Sequence, residues 1–231
     1  MKVGFFAPVN YNNLCCTSTA PCYAKYILEN PNYLAYYKLK KDKGATIYLD
    51  TAPMLPRQTN LQCLLSAAQQ IRPHYIILPS KDYDYKRTVG LALTFIQMLM
   101  EINVKSQCVG VLQGIDINSI NECYKALRGQ VSTIGLPSVL ETVVDRSEIV
   151  RKLGITEPIV YIEIHANPFK EIHTGRGTVM LTSFPIRLAL SARNLSEYAP
   201  TPKPLNYELP KGESLMGLAG ENIKAYLEEV R

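Results

Sequence analysis

The chain has 231 residues, of which 47% are hydrophobic and 19% charged, and a formal net charge of +5. These proportions exclude a disordered chain and favour one large α/β domain over two small ones. The mild cationic excess permits an acidic partner without demanding one, since solvated lysines are the commoner cause of such a balance.

No run of about 18 apolar residues occurs, so no transmembrane helix and no membrane partner are expected. Met1-Lys2-Val3-Gly4-Phe5-Phe6 is too short an apolar stretch for a signal peptide and reads as a first strand. A cytoplasmic protein with reduced thiols is the expectation. Cys15, Cys16 and Cys22 cluster, but no second cysteine or histidine group stands at zinc spacing, so no metal and no cofactor are expected.

Val3–Val9 reads as a strand closed by Pro8 and a polar run. Residues 15–28 read as irregular, turning helical only from Tyr23 to Leu28. Tyr33–Lys41 is rich in tyrosine and is followed by further lysine at Lys43; with Lys38, Lys40 and Lys41 it suits either a nucleic-acid contact or a solvated helix face.

Regular alternation follows. Strands are expected at Thr46–Leu49, Tyr75–Leu78, Cys108–Leu112, Val131–Ile134, Ile159–His165 and Thr178–Leu181. Helices are expected between them, near Asn60–Ile71, Lys86–Ile102, Asn118–Leu127, Ser138–Leu153, Pro168–Ile172 and Pro185–Leu195. The first of these carries Leu61, Leu64, Leu65 and Ala68 on one face. Tyr198–Pro210 holds four prolines and reads as extended, and Glu213–Val230 as a last helix.

Such alternation implies right-handed βαβ crossovers and a parallel sheet. Neither a Gly-rich dinucleotide fingerprint nor a phosphate loop is present. The expected fold is therefore a single-domain parallel (β/α) barrel, TIM-like, either irregular or one unit short, with the proline-rich segment 198–210 and helix 213–230 attached. In a barrel the chemistry belongs at the carboxyl ends of the strands.

Those ends read Leu49-Asp50-Thr51-Ala52, Leu78-Pro79-Ser80-Lys81-Asp82-Tyr83-Asp84, Leu112-Gln113-Gly114, Ile134-Gly135-Leu136-Pro137-Ser138, Ile164-His165-Ala166-Asn167 and Leu181-Thr182-Ser183-Phe184-Pro185. In order, the series resembles the tRNA-guanine transglycosylase superfamily. It is most similar to the branch of phages and bacteria that acts on DNA and inserts 7-deazaguanines. Asp50 to Met54 stand where that family has Asp-Ser-Gly-Gly/Ala-Phe, Leu112-Gln113-Gly114 where it has Val-Gln-Gly, and Ile134 to Glu141 where it has Ile-Gly-Gly-Leu-x-Val-Gly-Glu. Pro79 to Thr88 match its Pro-Asp-x-x-x-Asp-x-x-x-Thr, with Ser80 in place of the first aspartate, while Asp84 matches the second and Thr88 the threonine.

The resemblance implies base exchange at the N-glycosidic bond of guanine in nucleic acid, with DNA favoured over tRNA and free guanine or a 7-deazaguanine as the second substrate. For a phage-encoded chain it implies the host cytoplasm. Asp50 would act as base or ring-nitrogen partner. Gln113, Gly114, Gly135 and Leu136 would meet the purine edge, with Ser80, Asp84 and His165 beside them. Thr182 stands where the family keeps its nucleophilic aspartate, and a hydroxyl attacks an anomeric carbon only when a base activates it. Lys38, Lys40, Lys41, Lys81, Lys86 and Arg87 would contact phosphates. The alternative reading is a non-catalytic purine- or nucleic-acid-binding homologue, or a subunit with a catalytic partner, that has lost the nucleophile.

Overall fold

The computed structural model describes residues 2–7, 14, 17–51, 61–162, 179–183, 185–186 and 213–230. Eight parallel strands close into a barrel in chain order: β1 (Lys2–Phe5), β2 (Thr19–Tyr23), β3 (Thr46–Asp50), β4 (Tyr75–Ile77), β5 (Gln107–Val111), β6 (Thr133–Pro137), β7 (Ile159–Ile162) and β8 (Val179–Thr182). β1 seals the ring against β8, in register from Lys2↔Val179 to Phe5↔Thr182. The barrel is not one unit short.

The strand that the sequence pattern hides is β2. Thr19-Ala20-Pro21-Cys22-Tyr23 has no branched apolar run, and its proline cannot donate to a ladder, yet all five residues are buried. β2 runs in register with β3 from Thr19↔Thr46 to Tyr23↔Asp50, but it shares one register pair with β1, Gly4↔Thr19. Side chains serve its backbone instead. Tyr37 Oη donates to the Pro21 carbonyl at 2.8 Å, and Tyr23 N donates to Tyr33 Oη at 3.2 Å.

Both tyrosines come from α2 (Pro31–Asp42), which follows the short α1 (Ala24–Glu29). Pro31 suits the first turn of α2, and the Asn30 side chain caps it by accepting from Tyr33 N at 3.0 Å. Residues 33 and 37 are four apart, so they lie on one face and are buried together against β2. The tyrosine-rich stretch is therefore largely spent on the barrel. Tyr36 stays half-buried, with Lys40 Nζ 5.8 Å from its ring centre.

The remaining helices are α3 (Leu61–Ile71), α4 (Tyr85–Glu101), α5 (Ile117–Leu127), a 3₁₀ turn (Ser138–Thr142), α6 (Arg146–Leu153) and α7 (Glu213–Val230). The expected helix over 138–153 is thus two pieces. Asp145 restarts the chain by accepting from Ser147 N at 2.9 Å, and Gly154, left-handed at φ +60°, ends it. β6 begins two residues later than expected, because Val131 is used in an isolated bridge to Arg128. α7 packs over the closure of the ring: Tyr226 meets Phe5 edge-on at 5.8 Å, and its Oη lies 2.7 Å from Met180 Sδ.

Two apolar layers result. Tyr48, Ile77, Val109, Val111, Val160, Ile162, Val179 and Leu181 fill the barrel with Phe6 and Tyr23. Ile47, Leu49, Ile76, Leu112, Ile134, Leu136 and Tyr161 face outward to the helices. Among the described residues no helix is long and apolar enough to cross a membrane. Glu163, His165, the short helix expected at 168–172, most of that expected at 185–195, and the extended segment 198–210 lie outside the described residues.

Two outcomes follow from this packing. Tyr37→Phe leaves the buried Pro21 carbonyl without its hydroxyl donor, so urea denaturation should show a loss of about 1–3 kcal/mol. The second concerns His74, whose Nδ1 accepts from Ile47 N at 3.0 Å. Burial, then the charge of Lys41, holds its pKa below the ordinary value. The folded state therefore binds fewer protons than the unfolded one, and the contribution is whole above a pH of about 6.5 and lost as pH falls below it. In thermal melts between pH 8 and 5, His74→Asn, which keeps an acceptor but does not titrate, should show a flatter decline than the wild type. Equal slopes would remove His74 as a cause.

Candidate functional site

Strand alternation decides which side chains look into the mouth at the carboxyl ends of the strands. Tyr48 lies in the inner layer, so Asp50 faces inward at the mouth, where it is 8% exposed. Its register neighbour on β2 is Tyr23, whose ring stacks on Phe6 at 4.6 Å and 11°. Thr51 Oγ1 donates to Asp50 Oδ1 at 3.3 Å. Burial first, then the nearby Asp50 charge, pushes the Cys22 thiol well above its ordinary range, so this cysteine is inert.

Gln113 continues the inward series Val109, Val111 and is 1% exposed. The loop between β4 and α4 holds its amide at both ends. Oε1 accepts from Tyr83 N at 3.2 Å, and Nε2 donates to Asp82 Oδ1 at 3.4 Å. A backbone N–H can meet only the amide oxygen, so the orientation of Gln113 is set by its surroundings. Tyr83 takes a left-handed backbone at φ +62°, and its Oη lies 3.2 Å from Thr142 Oγ1 across the mouth's edge. Its side chain is exposed.

The glycines that match the resembled motifs have packing roles. A Cβ on Gly114 would stand 2.5 Å from Ser119 Oγ and 2.7 Å from Ile120 N, so glycine lets the start of α5 approach β5. That start is fixed by a capping box in which Asp116 accepts from Ser119 N at 2.7 Å and Ser119 Oγ accepts from Asp116 N at 3.1 Å. A Cβ on Gly135 would meet Ile162 Cδ1 at 2.9 Å inside the barrel. The Gly135 carbonyl accepts from Leu112 N at 3.0 Å, and the Leu136 carbonyl from Arg146 Nη1 at 2.8 Å. In the Gly135–Leu136 backbone that the resemblance sets at the purine edge, each carbonyl thus already accepts one bond from the protein.

Arg146 is a residue the sequence reading missed. It is 1% exposed and donates to the carbonyls of Leu136 and Ile162 and to Glu141 Oε1 at 2.9 Å, with its guanidinium 5.2 Å from the Tyr161 ring centre. It therefore ties the ends of β6 and β7 to the 3₁₀ turn that follows β6. Glu141, the last residue of the matched Ile134–Glu141 run, is its counter-charge.

Asp84 and Thr88 shape the loop after β4. Asp84 caps α4 by accepting from Arg87 N at 3.0 Å. Thr88 Oγ1 accepts from Lys81 N at 2.9 Å and donates to Lys81 O at 3.1 Å. Ser80 is half-buried at the end of β4. Lys81, Lys86 and Arg87 are exposed on this same loop and first helical turn, at the mouth.

Lys38, Lys40 and Lys41 lie in the last turns of α2, which leads into the amino end of β3, and so stand at the opposite end of the barrel. Lys41 Nζ is used there, donating to the carbonyls of Ile71 at 3.3 Å and Arg72 at 2.6 Å at the end of α3. The two basic groups do not rim one mouth. Thr182 also departs from expectation. Leu181 belongs to the inner layer and Met180 meets Tyr226 on α7, so Thr182 shares the outward face of Met180. The buried hydroxyl that continues the inward series at this strand end is Ser183. Counting alternate residues from Leu181 would have found it. His165 lies outside the described residues.

Among the described residues no group of three or more His, Cys, Asp or Glu side chains could hold a metal ion. No family model matches the chain, and no curated protein matches it. Among solved structures it is similar to D-psicose 3-epimerase from Clostridium cellulolyticum H10, determined with D-tagatose, over 100% of both chains at a TM-score of 0.56. At 11% identity that likeness establishes the barrel fold alone.

Arg146→Met would strand two carbonyls and the Glu141 carboxylate. Removing one partner of a buried charge pair costs about 3–5 kcal/mol, and the half-buried Glu141 puts this case at the lower end, about 3 kcal/mol. Glu141→Gln, which keeps an acceptor for Arg146, should cost clearly less in the same denaturant titration. Equal costs would show that the charge, rather than the carbonyl bonds, carries the effect.

Proposed function

We propose that the mouth of this barrel binds a guanine-type base and exchanges it at the N-glycosidic bond of a nucleic acid, DNA in preference to RNA, with chemistry centred on Asp50. The observation that carries the reading is the inward-facing carboxylate of Asp50 at the end of β3, nearly removed from solvent. As a glycosidic bond breaks, positive charge develops on the anomeric carbon, and a carboxylate in a water-poor site stabilises that charge. The Gln113 amide supports base binding. After its bonds to Tyr83 N and Asp82 it keeps one N–H and one lone pair, a donor and an acceptor that suit a guanine edge.

Lys81, Lys86 and Arg87 are the phosphate contacts on this reading, since they share the mouth with Asp50. A target base must leave its stack to enter, and binding is easiest on a single strand or an unpaired base. The outward face of Thr182 gives weight to the second reading, a barrel that holds the purine without exchanging it.

The test is incorporation of labelled guanine or a 7-deazaguanine into DNA, run on the wild type and on Asp50→Asn. Incorporation by the wild type, lost in Asp50→Asn with an unchanged melting curve, is expected. Saturable base binding without incorporation would replace exchange with the binding role, and neither binding nor incorporation would overturn both. If three cations contact phosphates, affinity should fall about 40-fold for a duplex, and about 20-fold for a single strand, between 50 and 200 mM salt.

A further inference from the structure

A cleft of about 770 Å³ opens at the end of the barrel opposite Asp50, lined by the first residues of β3, β4 and β5 and by the turns that lead into them. Its walls carry Lys41, Arg72, His74, Asn103, Lys105 and Ser106. We propose that this cleft is a binding site for a small phosphorylated ligand of nucleotide size, separate from the mouth and independent of what the mouth does.

The donor set points to an anion. Three side chains in the cleft, Lys41, Arg72 and Lys105, are cationic, Lys41 being already bonded to the end of α3, and among the described residues no carboxylate lines it. Glu101 and Asp42 end the neighbouring helices, but among the described residues neither forms an ion pair with Arg72 or Lys105. The helix end that would repel an anion is neutralised. Lys41 Nζ occupies the last carbonyls of α3, those of Ile71 and Arg72. His74 adds an oriented donor. Its Nδ1 accepts from Ile47 N, so the neutral ring carries its proton on Nε2, and the exposed ring lines the cleft.

Arg72 itself stands in a left-handed backbone at φ +46°, a position that glycine or asparagine would occupy at less cost. An arginine there departs from local preference and is placed on the cleft wall. The guanidinium supplies paired N–H groups that fit phosphate oxygens. One aromatic ring also lines the cleft: Tyr75, which stacks on Tyr48 at 4.6 Å and 6°. The volume lies within the range of about 300–1,000 Å³ usual for small-ligand pockets, which favours a discrete ligand over a long polymer track.

The test uses the full chain and three probes: inorganic pyrophosphate, guanosine 5′-monophosphate and a 12-base-pair DNA duplex, each titrated by calorimetry at 150 mM salt. The variant is Arg72→Asn with Lys105→Gln. Asparagine accepts the left-handed backbone, so the fold is retained, which a melting curve checks. Saturable binding of pyrophosphate or the nucleotide, weakened at least about tenfold in the variant and unchanged in Asp50→Asn, is the expected result. The His74 ring proton signal, assigned by its loss in His74→Asn, should shift with the same titration curve. Equal affinity in wild type and variant, or no saturable binding of either small probe, would overturn the proposal. So would binding of the duplex alone, which would make the face a polymer surface instead.

Discussion

The barrel depends on how β2 is held. Among the described residues it shares a single register pair with β1, and its proline cannot donate to a ladder. A closed barrel tolerates no open edge, because unpaired backbone groups in a buried strand cost more than most packing contacts return. Tyr33 and Tyr37 meet that demand from outside the sheet. Their rings continue an aromatic chain from Phe6 and Tyr23 through Tyr26 to Tyr36, so that α1, α2 and the mouth share one packed unit. Asp50 inherits its position from this unit, since β2 is the strand on which β3 is aligned residue by residue up to Tyr23↔Asp50.

Most of the ring was legible in the sequence because six later strands are short β-branched or aliphatic runs, each followed by a helical stripe. α3 buries Leu64, Leu65 and Ala68 as its spacing implies, and α7 spans the residues its pattern implies. β2 was not legible, because its burial comes from small residues and a proline whose carbonyl is satisfied at a distance of sixteen residues. The site was legible to the level of strand ends and no further. A motif places a residue at an end, but the face it takes depends on register. One residue separates Thr182 on the helix side from Ser183 on the barrel side.

The same limit applies to the basic residues. Lys38, Lys40 and Lys41 precede a strand, whereas Lys81, Lys86 and Arg87 follow one, and in a parallel barrel these positions lie at opposite ends. The two clusters, with β3, α3 and β4 between them in sequence, therefore stand at opposite ends of the barrel. Lys38, Lys40 and Lys41 immediately precede the Asp50 strand in the chain, and the parallel crossover puts them at its far end.

Gln113 shows how the mouth is coupled to its surroundings. Its amide is held by Asp82 and Tyr83, and that loop is in turn closed by Thr88 on both backbone groups of Lys81 and by Asp84 at the start of α4. Tyr83 then reaches Thr142 in the turn after β6, which Arg146 fixes to β6 and β7 through Glu141 and two carbonyls. Residues that match the resembled motifs, Asp84, Thr88, Gly114, Gly135 and Glu141, are thus the ones that hold three consecutive strand ends in place. Residues at such positions shape the mouth whatever step is performed there. Asp50 at the end of β3 and the Gln113 amide at the end of β5 face the opening that these bonds hold in shape.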